Sequence, residues 1–167
     1  RFTTESTIWN ASETSTSPDT RTGRACRKKL QGIVVPNRRA ETTVQAINAL
    51  ERKLGAEKFG IIYKSITVDN GSEFALADQL EQSCIKDGKR TKIYYCHPYS
   101  SWERGSNENV NGMIRRRHPK GTDFSKVTPE EIAATESWIN SYPRKILGYK
   151  SAGTAFRECL RKLGLTA

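Results

Sequence analysis

The chain has 167 residues, a formal net charge of +10 and a mean hydropathy of −0.68, with 35% hydrophobic residues. One domain per about 150 residues is the usual expectation, and a chain of this size can hold a core without disulfide or metal staples. No stretch approaches the ~18 apolar residues of a membrane span. No secretory signal opens the chain, and the first residue is Arg1 rather than Met, so a part of a longer protein is expected. The excess of Lys and Arg favours a polyanionic partner, most often nucleic acid, although a solvated basic surface has the same composition. The cysteines, Cys26, Cys84, Cys96 and Cys159, form no C-x-x-C pair, and the histidines are His97 and His118 alone. That pattern argues against a zinc site and suits a reducing, cytoplasmic location.

Residues 1–24 differ from the rest. Eleven of them are Ser or Thr, and only Phe2, Ile8, Trp9 and Ala11 are apolar. Three basic residues cancel three acidic ones there, so the whole net charge falls in 25–167. Residues 1–24 read as an irregular segment and 25–167 as the domain proper.

Leu30 to Val35 reads as a strand closed by Pro36. A helix capped by Thr42 or Thr43 should follow, with Val44, Ile47, Leu50 and Leu54 at helical spacing and Gly55 as terminator. Phe59 to Val68 reads as a second strand, broken by Asp69-Asn70-Gly71. Glu73 to Lys86 reads as a helix with Phe74, Ala77, Leu80 and Cys84 on one stripe. Asp87-Gly88-Lys89 is a turn, Lys92 to Cys96 a short strand and His97 to Gly105 a loop. Asn107 to Arg117 reads as a helix capped by Ser106. Thr128-Pro129-Glu130-Glu131 is a capping box opening a helix to about Tyr142, stopped by Pro143. A last helix is expected from Ser151 to Leu163, ended by Gly164. Alternating strands and helices give an α/β chain.

Two carboxylates stand out by position. Asp69 ends a predicted strand, where ligands bind in open α/β sheets. Glu108 lies in the first turn of a predicted helix. A strand-end Asp and a helix-borne Glu can converge on one side of a sheet and supply the hard oxygen ligands Mg²⁺ wants. Two such ions ~3.5–4 Å apart clamp the attacking and leaving oxygens of a phosphoryl transfer. Each residue also has a plainer role: Asp-Asn-Gly after a strand makes a turn, and a first-turn Glu complements the helix dipole.

Basic residues surround the second acid. Arg104 precedes the helix, and Arg115, Arg116, Arg117 and Lys120 lie on it and its exit, with Arg115 two turns after Glu108. With Asn107 and Asn111 they are candidates to hold phosphates flanking a scissile bond, Arg116 reading better as solvent face. Arg144, Lys145 and Lys150 form a second cluster around Tyr149. There aromatic and cation can touch nucleic acid, while Tyr149 and Ile146 can equally be packing. Trp102 reads as a loop tryptophan packed on a sheet edge, and His97 as structural.

The motifs themselves carry a resemblance. Asp69-Asn70-Gly71-Ser72-Glu73-Phe74, His97-Pro98-Tyr99-Ser100-Ser101-Trp102-Glu103-Arg104-Gly105-Ser106-Asn107-Glu108-Asn109, Asn111-Gly112, Pro119-Lys120-Gly121-Thr122-Asp123-Phe124 and Pro143-Arg144-Lys145 occur in order. This series resembles the catalytic domain of bacterial insertion-sequence transposases of the IS-thirty family, within the DDE transposase and retroviral integrase group. It is dense from about Thr67 to Phe156 and weak from Leu30 to Tyr63. The resemblance implies a ribonuclease H-like mixed sheet flanked by helices. It implies DNA strand cleavage by water and strand transfer by a 3′-hydroxyl, with Mg²⁺ or Mn²⁺ held by three acids, and a homo-oligomer bridging two element ends. Asp69 corresponds to the second acid and Glu108 to the third. The first should lie on the first strand near a tryptophan. Aligning on Trp9 puts Ser12 there, with Glu13 and Asp19 as alternatives. A copy lacking that acid would be inactive, or a non-catalytic DNA-binding remnant.

Overall fold

The computed structural model describes residues 6–11, 29–35, 37, 39–97 and 105–165, with the side chains of 6–11, 34, 105–108 and 125 excepted. In chain order the elements are β1 (Ser6–Ala11), β2 (Leu30–Val35), α1 (Ala40–Leu54), α2 (Ala56–Ile62), β3 (Ser65–Val68), α3 (Ala77–Glu81), β4 (Lys92–Tyr95), α4 (Gly105–Arg117), α5 (Pro129–Ser141) and α6 (Ala152–Lys162). Single turns of 3₁₀ helix occupy Ser72–Phe74, Phe124–Lys126 and Lys145–Leu147. The chain is thus a mixed α/β fold. No helix among the described residues is long and apolar enough to cross a membrane.

The described strands form two pairs rather than one continuous sheet. β1 and β2 are antiparallel, with Trp9 opposite Gly32, whereas β3 and β4 are parallel, from Ser65 opposite Lys92 to Val68 opposite Tyr95. The free edge of β2 is taken by side chains of α5. Leu30 N–H donates to Asn140 Oδ1 and Leu30 C=O accepts from Asn140 Nδ2, both at 2.8 Å, and Gly32 N–H donates to Glu136 Oε2 at 3.0 Å. An edge amide satisfied by a side chain cannot template another strand.

β2 also separates two apolar layers. Leu30, fully buried, packs with Val110, Met113 and Ile114 of α4 and Ile139 of α5. Ile33 packs instead against the cluster of Val44, Ile47 and Leu50 from α1, Phe59 and Ile62 from α2, Ile66 and Val68 from β3, and Ile93 from β4. Odd and even residues of one strand face opposite sides, so one strand serves both layers.

Several sequence expectations need correction. The segment read as irregular carries strand β1, whose backbone pairs with β2 without any apolar alternation of its own. Phe59 to Ile62 is helical, and β3 begins only at Ser65. The buried residues Phe59, Ile62 and Tyr63 stand at i, i+3 and i+4, a helical spacing that the β-branched run Ile61-Ile62 obscured. Gly55, at φ +83°, ends α1 and starts α2 without a break. α1 begins at Ala40 with no side-chain cap, so Thr42 and Thr43 lie inside it. α4 begins at Gly105, so Ser106 is within the helix rather than its cap. The capping box at Thr128 forms as expected, with Glu131 N–H donating to Thr128 Oγ1 and Thr128 N–H to Glu131 Oε2.

The helix expected over Glu73–Lys86 stops at Glu81 for a specific reason. Glu51 on α1 and Arg90 are both fully buried and paired, Nη1 to Oε2 at 2.9 Å. Glu51 Oε2 also accepts the Cys84 N–H, and Arg90 Nε donates to the Leu80 carbonyl at 2.8 Å. After Gln82 N–H donates to Asp78 C=O, the next i→i−4 bond would use Ser83 N–H, which donates instead to Gly88 C=O at 3.0 Å, and the one after that would join Cys84 N–H to Leu80 C=O. The turn takes the Ser83 amide and the ion pair takes the Cys84 amide and the Leu80 carbonyl, so the chain that leaves the helical path at Gln82 is held off it. Ser83 Oγ donates to the second Glu51 oxygen, and Asn48 Oδ1 accepts from Arg90 Nη1 at 2.6 Å. Burial alone would raise the Glu51 pKa. The bonds from Ser83, Cys84 and Arg90 outweigh it and hold the carboxyl at about 2, against an ordinary 4.5.

A carboxyl lowered by folding contributes stability above its unfolded pKa and loses it as pH falls through the folded value. Unfolding free energy should therefore decline as pH falls from about 4.5 to about 2, and Glu51→Gln should flatten that decline, as urea titrations at stepped pH would record. Glu51→Ala, which leaves Arg90 buried without its anion, should cost about 3–5 kcal/mol in the same assay at pH 7. Thr128→Ala should cost about 1 kcal/mol through loss of the cap alone.

Candidate functional site

Asp69 follows the last residue of β3 and is exposed. The ends of the two parallel strands are tied beneath it: Cys96 N–H donates to Val68 C=O at 2.9 Å, and Asn70 Nδ2 to Cys96 C=O at 3.1 Å. The Asp69 carboxylate turns back to accept the Gly71 N–H at 3.3 Å, so the turn reading of Asp-Asn-Gly also holds. Asp69 thus sits at the carboxyl end of a parallel strand, as the sequence placed it.

The structure adds an acid that sequence reasoning did not single out. Glu73 is the middle residue of the 3₁₀ turn Ser72–Phe74 that follows Gly71. A Cβ at Gly71 would meet Glu73 Oε2 at 2.5 Å and Asp69 Oδ1 at 3.1 Å. The two carboxylates therefore face one space that only a glycine leaves open, although Gly71 itself has an ordinary φ of −70°. The signal in the sequence was a second acid four residues after the first, across a glycine, in Asp69-Asn70-Gly71-Ser72-Glu73.

Glu108 lies in the first turn of α4, as expected, and its side chain is outside the described set. α4 buries Val110, Met113 and Ile114, so Asn111, Gly112 and Arg115 lie on its outer side, and all three are exposed. By helical period, backbone position 108 belongs with 111, 112 and 115. Asn107 is in the same first turn, its side chain likewise outside the described set. Arg104, Trp102, Ser12, Glu13 and Asp19 lie outside the described residues altogether. Among the described residues no three His, Cys, Asp or Glu side chains gather in a way that could hold a metal.

The basic candidates divide by what they touch. Arg115 and Lys120 are exposed, the latter in the turn that follows α4. Arg117 lies over the Trp138 ring, 5.3 Å from its centroid, and is spent on packing α4 to α5. His118 hydrogen-bonds Thr135 Oγ1 through Nε2 at 3.0 Å and stacks near Phe124. In the second cluster Lys145 is exposed, whereas Lys150 Nζ bonds both oxygens of Glu158 at 2.8 Å and holds that carboxyl below its usual range. Tyr149 and Ile146 are 71% and 58% exposed, so neither is core packing. Arg144, expected at the surface, is buried.

No protein-family model matches the chain. Individual proteins do. The chain is 45% identical over 98 residues to the transposase for insertion sequence element IS4351 of Bacteroides fragilis, covering 59% of this chain and 28% of that one. It is 40% identical over 93 residues to a probable transposase for insertion-like sequence element IS1161 of Streptococcus salivarius, covering 56% and 25%. It is 42% identical over 88 residues to transposase InsI for insertion sequence element IS30A of Escherichia coli K12, covering 53% and 22%. The chain spans about a quarter of the length of these curated relatives. Over about half of its own length, then, the resemblance read from the motifs is borne out: the homologues of that stretch are insertion-sequence transposases of the IS30 family.

Proposed function

We propose that this chain is the catalytic region, or a piece of it, of an insertion-sequence transposase that cleaves and rejoins DNA strands with Mg²⁺ or Mn²⁺. The observation that carries the reading is the identity of 40–45% with three transposases over more than half of the chain. In this reading residues 25–167 form one ribonuclease H-like core and a homo-oligomer brings two element ends together. The chain works in the cytoplasm, where its DNA lies.

The donor chemistry fits a hard divalent cation. Asp69 presents an exposed carboxylate at a strand end and Glu73 faces it across Gly71. Such oxygen ligands with open positions are what Mg²⁺ takes. Asp69 and Glu108 are assigned as metal ligands, position 108 lying in the first turn of α4. The metal, when bound, polarises the scissile phosphodiester. The remaining work belongs to the chain's own residues. Arg104, Asn107, Asn111, Arg115 and Lys120 hold phosphates beside the break, and exposed Lys145 holds them further along the strand, beside buried Arg144 and the Glu158-paired Lys150.

A second reading has a specific basis. The first of the family's three acids has only Ser12, Glu13 or Asp19 as counterpart, and a serine hydroxyl brings no negative charge. A chain without that acid would bind DNA and not cut it. Incubating the protein with duplex oligonucleotides carrying element ends, in Mg²⁺ or Mn²⁺, separates the two. A transposase core nicks or joins them, and Asp69→Asn or Glu108→Gln reduces products to background. Cleavage that survives Asp69→Asn removes Asp69 from the mechanism. Salt-sensitive binding without cleavage by the unaltered chain favours the remnant.

A further inference from the structure

The sequence between α5 and α6 folds into a tight turn around Arg144. Arg144 N–H donates to Lys150 C=O at 3.1 Å, and Arg144 C=O accepts from both Leu147 N–H at 2.9 Å and Tyr149 N–H at 3.0 Å. Pro143 and Ser151 pair as an isolated antiparallel bridge, and Ser151 caps α6 by accepting from Thr154 N–H. The base of the turn is fixed against the rest of the molecule. A Cβ on Gly153 would meet the Asn140 carbonyl at 3.2 Å, which shows how closely the start of α6 approaches the end of α5.

The turn holds two unusual costs. Arg144 is 8% exposed, yet its Nε and Nη2 are enclosed and have no hydrogen-bond partner among the described residues. Buried donors of a charged group left unsatisfied lose their hydration without compensation. Burial also draws the Arg144 pKa below its ordinary value. The second cost is backbone strain. Gly148 and Tyr149 are successive residues at φ +62° and +63°, and Tyr149 is the one described non-glycine residue with positive φ. There the Cβ of an L residue crowds the carbonyl oxygen of the backbone. Such outliers persist where the site has a use for them.

Nε and Nη2 are a particular pair. They are the two donors on one side of the guanidinium fork, spaced to grip two oxygens of one oxyanion side by side. The rim of the turn carries exposed Lys145, Ile146 and Tyr149. The adjacent acid, Glu158, is already occupied by Lys150. We infer that Arg144 and the Lys145–Tyr149 turn form a DNA phosphodiester site, closed in this structure, that opens at the strained Gly148-Tyr149 step to let one phosphate take both orphaned guanidinium donors. The inference rests on the transposase reading for the choice of a nucleic-acid phosphate over other oxyanions. On opening, Tyr149 stays at the rim, where its ring can lie against the neighbouring sugar or base.

The test is fluorescence anisotropy of the full chain with a fluorescein-labelled duplex oligonucleotide from 50 to 250 mM KCl. Arg144→Gln should weaken binding about tenfold at 100 mM and reduce the slope of log K against log salt by about 0.9, the value for one phosphate. Arg144→Lys keeps the charge and loses the paired donors, so it should recover less than half of the lost affinity on a logarithmic scale. In hydrogen exchange of the unaltered protein, DNA should lower protection of the Leu147 and Tyr149 amides, the two that donate to Arg144 C=O. Arg144→Gln that binds with unchanged affinity and slope overturns the inference, as does lysine that restores full affinity. Should Arg144→Gln fail to fold, the lysine variant and the exchange data decide, and unchanged protection at 147 and 149 overturns it. An unaltered chain with no salt-dependent DNA binding overturns the transposase reading and this site together. Binding by the unaltered chain with an indifferent Arg144 overturns this site alone.

Discussion

The Glu51–Arg90 ion pair is the constraint on which the site region depends. A fully buried pair is weak evidence for net stability, because desolvation offsets the attraction. Its effect here is on chain path. The Ser83 amide is turned to Gly88 C=O, and by taking the Cys84 amide and the Leu80 carbonyl the pair removes the following bond, so α3 is not resumed. The chain instead doubles back, with Gln82 bridging Lys89, and enters β4 in parallel register with β3. A parallel pair needs a crossover, and this one is compact because its helix is cut short. The carboxyl ends of β3 and β4 then lie side by side, which is where Asp69 stands.

Much of the fold was legible where one local signal dominated. Leu30–Val35, the α1 stripe of Val44, Ile47 and Leu50, the Thr128 capping box and a last helix starting near Ser151 all follow from spacing or cap chemistry within a few residues. The failures share a cause, which is decision by distant partners. The apolar stripe of Phe74, Ala77, Leu80 and Cys84 is helical in period, yet residues 51 and 90 hold the chain off the helical path. β1 has no alternation to reveal it, because it is defined by the backbone of β2. Phe59 to Ile62 is β-branched at its end but buries at helical spacing, and its packing against α1 outweighs local preference.

The same division holds for the site. The position of Asp69 at a strand end and of Glu108 in a first helical turn could be read directly, because each needs only its own element. That Glu73 shares a space with Asp69 depends on a glycine lacking a Cβ, and on the 3₁₀ turn that swings Glu73 back. Among the basic residues, charge in the sequence says nothing of occupancy. Arg90 is buried on Glu51, and Arg117 and Lys150, though exposed, lie against Trp138 and Glu158, whereas Arg115, Lys120 and Lys145 are exposed. The basic excess is therefore smaller as a binding surface than as a count.

The sealing of β2 by Asn140 and Glu136 has a consequence for synthesis. The strand and the amide that closes it are 110 residues apart, so a nascent chain that has emerged only as far as β4 presents an open, pairing-competent edge. The molecule becomes safe from strand-to-strand association only once α5 has left the ribosome and docked. Any shortened product ending before Glu136 lacks both side chains that close that edge and leaves it open to strand pairing.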